Sequence, residues 1–148
     1  VYGKKNVAGG GDVVAALAGI EVRTIPDREG QILHNYITDR LSRPGARLSG
    51  YELRTRLHVS RASLGVERDE STTRAKLTVT ASFTLKGHGG EREFTLRRVS
   101  GFSETESEYP TLAAEEDAIK RSFREIADDL KVRLSLIVRE DLAKRAAQ

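Results

Sequence analysis

The side chains that most often do chemistry are not arranged here as a catalytic or metal-binding motif. His34, His58 and His88 lack the four-residue helical spacing and the carboxylate partner of a zinc site. The run Gly9-Gly10-Gly11-Asp12 is not followed by Lys-Ser/Thr, so it does not form a phosphate-binding loop. No serine lies in a Gly-x-Ser-x-Gly motif, and the chain contains no cysteine. The sequence therefore predicts a protein that is not an enzyme and needs no metal or cofactor.

The basic residues follow a strand pattern and form the best candidate binding surface. Apolar residues alternate with charged ones after Tyr51, and with lysines and threonines between Lys76 and Lys86. This alternation predicts one apolar and one polar sheet face. An ordinary solvated face is one interpretation. The other is a surface for an anionic or polar partner, because arginine binds phosphate through two parallel hydrogen bonds. The candidate residues are Arg54, Arg56, Lys76, Lys86 and Arg97.

The elements that must position these residues can be followed along the chain. Alternation from Ala18 to Thr24 predicts a strand that ends at Pro26. Asp27 is the predicted N-cap of a helix that ends before Pro44-Gly45. A strand from Tyr51 shifts its apolar phase after Val59, which predicts a bulge near Ser60. Two further strands flank a hairpin turn at Gly87-His88-Gly89-Gly90.

The last element is a long amphipathic helix that ends near Lys144. Thr111 is its predicted N-cap, and the acidic residues that follow suit the positive end of a helix dipole. Apolar residues recur at three- and four-residue steps and predict a buried stripe formed by Ile119, Phe123, Ile126, Leu130, Leu134 and Ile137.

Together these patterns predict a two-layer α+β fold. A four-stranded sheet is backed by two helices in the order β-α-β-β-β-α, and its other face is open. The three consecutive glycines predict a flexible leader over residues 1–15, followed by a single domain over residues 16–148.

Composition narrows the class of partner. The 25 basic and 22 acidic residues give a formal net charge of only +3, which is not the strong basic bias of a nucleic-acid-binding protein.

No apolar run approaches the roughly 20 residues needed to cross a bilayer as a helix. Methionine is absent even at position 1. We therefore expect a processed or truncated chain whose start was a signal or lipidated segment.

An ordered set of short motifs resembles the LPS-assembly lipoprotein LptE family. The resemblance covers almost the whole chain and rests on Val1-Tyr2-Gly3, Ile20-Glu21-Val22, Asp27-Arg28-Glu29-Gly30-Gln31, Tyr51-Glu52-Leu53, Thr80-Ala81-Ser82-Phe83-Thr84-Leu85, and the segment from Ser100 to Leu134.

The resemblance implies a function at the periplasmic face of the outer membrane. It implies attachment through an upstream lipidated cysteine that is not in this chain. It also implies a plug inside the LptD β-barrel, which the protein helps to assemble, and binding of lipopolysaccharide (LPS) on its way to the outer leaflet. The polar sheet face suits both partners, because a barrel lumen is polar and lipid A phosphates favour arginine and lysine.

Two alternatives remain open from the sequence. A double-stranded-RNA-binding module also has the element order helix, three strands, helix. Such modules place lysines at the start of the last helix, whereas this chain has Glu115, Glu116 and Asp117 there, so we expect no nucleic-acid partner. A periplasmic adaptor without a ligand of its own is the second alternative, and it differs only in lacking affinity for LPS.

Overall fold

The fold is known from a computed structural model, which describes residues 10–66, 73–104 and 108–147. It is an α+β fold in which one four-stranded sheet is covered on one face by helices, and the predicted order of strands and long helices is confirmed. The elements are α1 (Gly10–Ala18), β1 (Glu21–Val22), α2 (Asp27–Leu41), β2 (Glu52–Val66), β3 (Thr73–Gly87), β4 (Gly90–Glu104) and α3 (Glu108–Ala146).

The sheet has the strand order β1-β2-β3-β4. The short strand β1 pairs with β2 in parallel, and the three 15-residue strands form an antiparallel meander. The register between β2 and β3 shifts between Ser63 and Gly65, which leaves Leu64 without a cross-strand partner. The predicted irregularity in β2 is therefore present, but it lies four residues beyond the predicted site at Ser60.

Helix α3 contributes the largest part of the helical layer. Its 39 residues make it about 58 Å long, which matches strands of about 50 Å. The predicted apolar stripe is buried from Ile119 to Leu134, and Ile137 is half-buried. The helix begins at Glu108, so Thr111 lies inside the first turn and is not the N-cap, contrary to the prediction.

Helix α2 crosses between the two parallel strands and buries Leu33, Ile37 and Leu41 against the sheet and α3. The predicted cap at Asp27 is wrong. Pro26 occupies the N-cap position, no side chain makes a capping hydrogen bond, and Asp27 is the first helical residue with a φ of 70°.

The N-terminal region differs most from the sequence interpretation. Residues 10–18 form helix α1, which the glycine run concealed and which buries Val13, Leu17 and Ala18. The spacing of Val13 and Leu17 places both on one face. The predicted first strand is reduced to Glu21 and Val22 because Ala18 still belongs to α1. Residues 1–9 of the expected leader lie outside the described residues.

The core lies between the sheet and the helices, and every core-facing side chain of β3 from Ala75 to Leu85 is buried. Phe83 and Phe94 stack across β3 and β4 with ring centroids 5.4 Å apart. None of the helices within the described residues has the length and apolar character needed to cross a membrane. No helix of the described residues covers the opposite face of the sheet, which displays the polar residues.

Candidate functional site on the open sheet face

Strand register places all five candidate basic residues on the open face. Because side chains alternate across a strand, every residue opposite a buried position points away from the helices. Cross-strand pairing then arranges the open face in rows of one residue from each long strand. From the hairpin turn outward the rows are Glu52-Lys86-Glu91, Arg54-Thr84-Glu93, Arg56-Ser82-Thr95, His58-Thr80-Arg97, Ser60-Thr78-Val99 and Ala62-Lys76-Gly101.

Two of the five candidates lie among carboxylates at one end of this face. Arg54 Nε lies 3.3 Å from Glu52 Oε1, and Lys86 Nζ lies 3.5 Å from Glu91 Oε1. Glu93 occupies the same row as Arg54. We call the first two rows the acidic end. An anionic ligand placed there would meet three carboxylates as well as two cations.

The other three candidates lie where the described side chains include no carboxylate. Within the described residues, the side chains of Arg56, Lys76 and Arg97 form no ion pair, and all three are exposed. We call the rows from Arg56-Ser82-Thr95 to Ala62-Lys76-Gly101, together with Arg74, the basic half. Arg56 and Arg97 lie in adjacent rows on the two outer long strands, with Cα atoms about 12 Å apart by sheet geometry.

Arg74 belongs to the basic half but was not among the predicted residues. It is exposed on the open side of β3, beside Lys76 along the strand, and its guanidinium lies near Gly101 of β4. The alternation that ends with Lys76 in the sequence interpretation continues for one more step to Arg74. Extending the pattern by two residues would have found it.

The open face is slightly concave near its middle. A depression of about 570 Å³ crosses the three long strands at the boundary between the acidic end and the basic half, and its lining includes Arg56, Ser82 and Thr95. Ser82 Oγ and Thr95 Oγ1 lie 3.3 Å apart across the floor. Hydroxyls on the floor and a guanidinium at the edge provide hydrogen bonds for a phosphate or sugar.

Arginines on the covered side of the sheet behave differently, because they hold the helices. Arg61 of β2 pairs with Glu29 of α2 at 2.8 Å and also with Glu115 of α3. Arg98 of β4 pairs with Glu125 at 3.5 Å and with Asp129, both on α3. These pairs connect layers of the fold. They also explain part of the acidic start of α3, since Glu115 there has a cation within the same chain.

A buried polar cluster lies at the hairpin end and was missed by the sequence interpretation. The Tyr51 hydroxyl donates a hydrogen bond of 2.7 Å to Asp141, and the Arg92 guanidinium donates to the other carboxylate oxygen. Asp141 is only 4% exposed. A signal was present in the sequence, because Asp141 continues the helical spacing of the buried Leu134 and Val138.

The cluster shifts the pKa values of its members in opposite directions. Burial raises the pKa of Tyr51 to about 12, and the hydrogen bond to Asp141 adds to the shift. Burial opposes ionisation of Asp141, but the hydrogen bonds from Arg92 and Tyr51 outweigh it and lower the pKa of the carboxyl. The hydrogen bond to Asp141 raises the pKa of Arg92. The carboxylate is therefore a structural anion that its two donors keep ionised.

The three histidines lie in different parts of the fold and make different contacts. His34 lies 3.3 Å from the Val22 carbonyl, and His88 Nε2 lies 2.9 Å from the Ser49 carbonyl and makes an edge contact with Tyr51. His58 is exposed in the basic half. Among the described residues, no three histidine or acidic side chains are grouped so that they could hold a metal ion.

Comparison with known proteins places this fold in a family. A family model described as LptE, lipopolysaccharide-assembly, matches residues 17–134. No curated protein matches the chain significantly in sequence. A solved structure of a candidate lipoprotein from Caulobacter crescentus is 20% identical with a TM-score of 0.69, and the match covers 88% of this chain and 98% of that one.

A second solved structure, the rare lipoprotein B from Shewanella oneidensis, is 10% identical with a TM-score of 0.56, and the match covers 86% of this chain and 96% of that one. These two likenesses establish the fold, and the family match covers both the sheet and most of α3. The chain therefore belongs to the LptE family, whose members take part in lipopolysaccharide assembly at the outer membrane.

Proposed function

We propose that this protein is a non-enzymatic component of the outer-membrane LPS translocon that plugs the LptD β-barrel, assists its assembly and binds LPS through the basic half of its open sheet face. The main supporting observation is the mostly polar open face of three 15-residue strands, on which the side chains of Arg56, Lys76 and Arg97 form no ion pair within the described residues. An upstream lipidated cysteine attaches the protein to the periplasmic leaflet.

The shape and charge of the open face support contact with both LptD and LPS. Three long antiparallel strands make a rigid polar surface, which is compatible with the polar interior of a large β-barrel. Cations without carboxylate neighbours favour phosphate groups such as those of lipid A, because charge-assisted hydrogen bonds to phosphate are among the strongest that side chains form. The acidic end leaves room on the same face for a second, less anionic contact with the barrel wall.

The plug role is tested by co-purification. The precursor is expressed in its own host with an affinity tag, and membranes are extracted in mild detergent. We expect LptD to be recovered in a stoichiometric amount. Recovery of the tagged protein free of the barrel would contradict the plug role and return the RNA-binding and adaptor alternatives to consideration.

The LPS role is tested by charge reversal on the open face. The double variant Arg56→Glu/Arg97→Glu should lower LPS affinity at least about tenfold, because each charged hydrogen bond is worth about 1.5–3 kcal/mol. The control is Lys131→Glu/Arg139→Glu, which reverses two exposed cations of α3. Equal binding by both variants would remove the open face from the LPS site. No binding by the unmodified chain would favour an adaptor without a ligand.

A further inference from the structure

The loop between α2 and β2 has an unusual combination of apolar and basic exposure. Residues 42–50, which we call the basic loop, include Arg43, Arg47 and Leu48 but no acidic residue. Leu48 is 77% exposed, more than any other large apolar side chain among the described residues. Many of the described arginines form ion pairs, but Arg43 and Arg47 form none with other described residues. The basic loop therefore presents an exposed leucine next to Arg47, with two cations and no carboxylate of its own.

The exposure of Leu48 is not a consequence of a loosely held loop. The Ser49 hydroxyl donates to the Ala16 carbonyl at 2.7 Å, and the Ser49 amide donates to the Gly19 carbonyl at 2.9 Å. A Cβ at Gly19 would lie 2.1 Å from the Arg47 carbonyl oxygen, so only glycine permits the contact. The basic loop is therefore fixed against the end of α1, with Leu48 directed outward.

A groove beside Leu48 extends the apolar surface. It has a volume of about 470 Å³ and lies between the basic loop and α1, where its walls are formed by small apolar residues and its lining also includes Arg43 and Arg47. An acyl chain needs a narrow apolar channel, and the phosphate of a lipid headgroup needs a nearby cation. This surface offers both within one loop.

We propose that the basic loop and the adjoining groove rest on an anionic phospholipid surface, where Leu48 enters the headgroup region and Arg43 and Arg47 bind phosphates. Cationic residues and an apolar side chain on one surface are the features that hold peripheral segments at a bilayer interface. The contact is separate from the open sheet face and does not depend on LPS binding there. It would orient the protein at the membrane with the hairpin end and the C-terminus of α3 nearest the lipid.

The absence of cysteine in the chain allows a site-specific test. Ala46→Cys in the basic loop and Ala113→Cys in the first turns of α3 are labelled with an environment-sensitive dye. Both alanines are exposed. Ala113 is a matched control because it lies 28 residues before Asp141 along α3, about 42 Å from the hairpin end. The full chain is tethered by an N-terminal hexahistidine tag to vesicles that contain a chelating lipid and a lipid-borne quencher.

On vesicles rich in phosphatidylglycerol, we expect the label at position 46 to be quenched and the label at position 113 to remain unquenched. Each arginine near an anionic surface is worth about a fivefold factor in the docking equilibrium constant, so loss of both is worth about 25-fold, and Arg43→Glu/Arg47→Glu should lower the constant by at least that factor because the new carboxylates are repelled. On phosphatidylcholine vesicles the quenching should fall to a similar extent. On vesicles rich in phosphatidylglycerol, Arg56→Glu/Arg97→Glu should leave the quenching at position 46 unchanged, which separates this contact from the proposed LPS site.

Three results would overturn the proposal. One is equal quenching at positions 46 and 113. Another is quenching at position 46 that survives reversal of Arg43 and Arg47 in a variant whose melting temperature is unchanged. The last is a dye response to LPS micelles or to co-purified LptD without any response to phospholipid vesicles, which would assign the basic loop to one of those partners.

Discussion

The same residue type has opposite surroundings at the hairpin end and in the basic half of the open face. Arg92 donates to the buried carboxylate of Asp141, whereas Arg56 lies exposed, with no ion-pair partner among the described residues. Both are strand residues and lie on opposite faces of the same sheet. A cation that the fold has neutralised stabilises the fold, while a cation without a partner remains available for a ligand. Pairing, rather than the presence of arginine, distinguishes the two roles.

Truncation of a side chain in the core should have the largest effect on the free energy of unfolding, because both regions pack on that core. Leu130 is fully buried on α3 between the helices and the sheet. We expect Leu130→Ala to lower the free energy of unfolding by about 3–5 kcal/mol through loss of burial and creation of a cavity. Chemical denaturation measures the loss. Leu136→Ala, at a side chain that is 53% exposed, is the control and should have a much smaller effect. Similar losses would contradict the assigned face of α3.

Removal of the buried anion should disrupt the hairpin end alone. Asp141→Asn leaves the Arg92 guanidinium without its anionic partner, and we expect a loss of about 3 kcal/mol. Asp128→Asn is the control, since Asp128 pairs with Arg40 but its side chain is 67% exposed, and it should cost less than about 1 kcal/mol. LPS affinity should be unchanged in both variants if the two regions are independent.

The lowered pKa of Asp141 predicts how the stability difference between the unmodified protein and Asp141→Asn changes with pH. The folded carboxyl has a pKa below the ordinary value of 3.8. A lowered pKa contributes stability that is present above the unfolded value and is lost as the pH falls through the folded value. The stability advantage of the unmodified protein over Asp141→Asn should therefore persist at pH 5 and shrink below about pH 4. An advantage that does not change with acid would contradict an ionised Asp141.

The smallest expected effect concerns the Tyr51 hydroxyl. Tyr51→Phe removes one hydrogen bond to Asp141 and should cost about 1 kcal/mol at neutral pH. The pKa of Tyr51 is about 12 in the folded protein against 10 in its ordinary state, so the stability that its neutral form contributes is present below pH 10 and is lost as the pH rises toward 12. Thermal unfolding at pH 9 and pH 11 should therefore converge for the two proteins at the higher pH. An undiminished difference at pH 11 would be the contrary result.

Features that depend on local periodicity could be predicted from the sequence, but contacts between residues distant in the sequence could not. The alternation along β3 and the apolar stripe on α3 depend on local spacing, so the predicted sheet faces and the predicted buried side of α3 are confirmed. The glycines at the start of α1 concealed a helix whose stability depends on burial of Leu17 in the core. Helix starts were also misplaced, because α3 begins at Glu108, before Thr111, and Pro26 rather than Asp27 occupies the N-cap position of α2.

The candidate site illustrates the same limit. All five predicted basic residues lie on the open face, because a two-residue period fixes the direction of each side chain. Their division into paired and unpaired sets depends on cross-strand register, which brings Lys86 between Glu52 and Glu91. Register arises from contacts between residues distant in sequence. For the same reason the link between Arg92 and Asp141, 49 residues apart, was not predicted.

The most direct test compares the two parts of the open face by LPS binding. Arg56→Glu/Arg97→Glu reverses two cations of the basic half that form no ion pair with a described residue, and Arg54→Glu/Lys86→Glu reverses two cations of the acidic end. Both variants change the net charge equally. We expect the first to lower LPS affinity at least about tenfold and the second less than about threefold. The first should keep the unfolding free energy within about 0.5 kcal/mol of the unmodified protein. The second places a glutamate at position 86 opposite Glu52 and Glu91 and should lower that free energy, so binding is measured where both variants are fully folded. An equal loss in both variants, or a larger loss at the acidic end, would contradict the claim that unpaired cations form the binding surface.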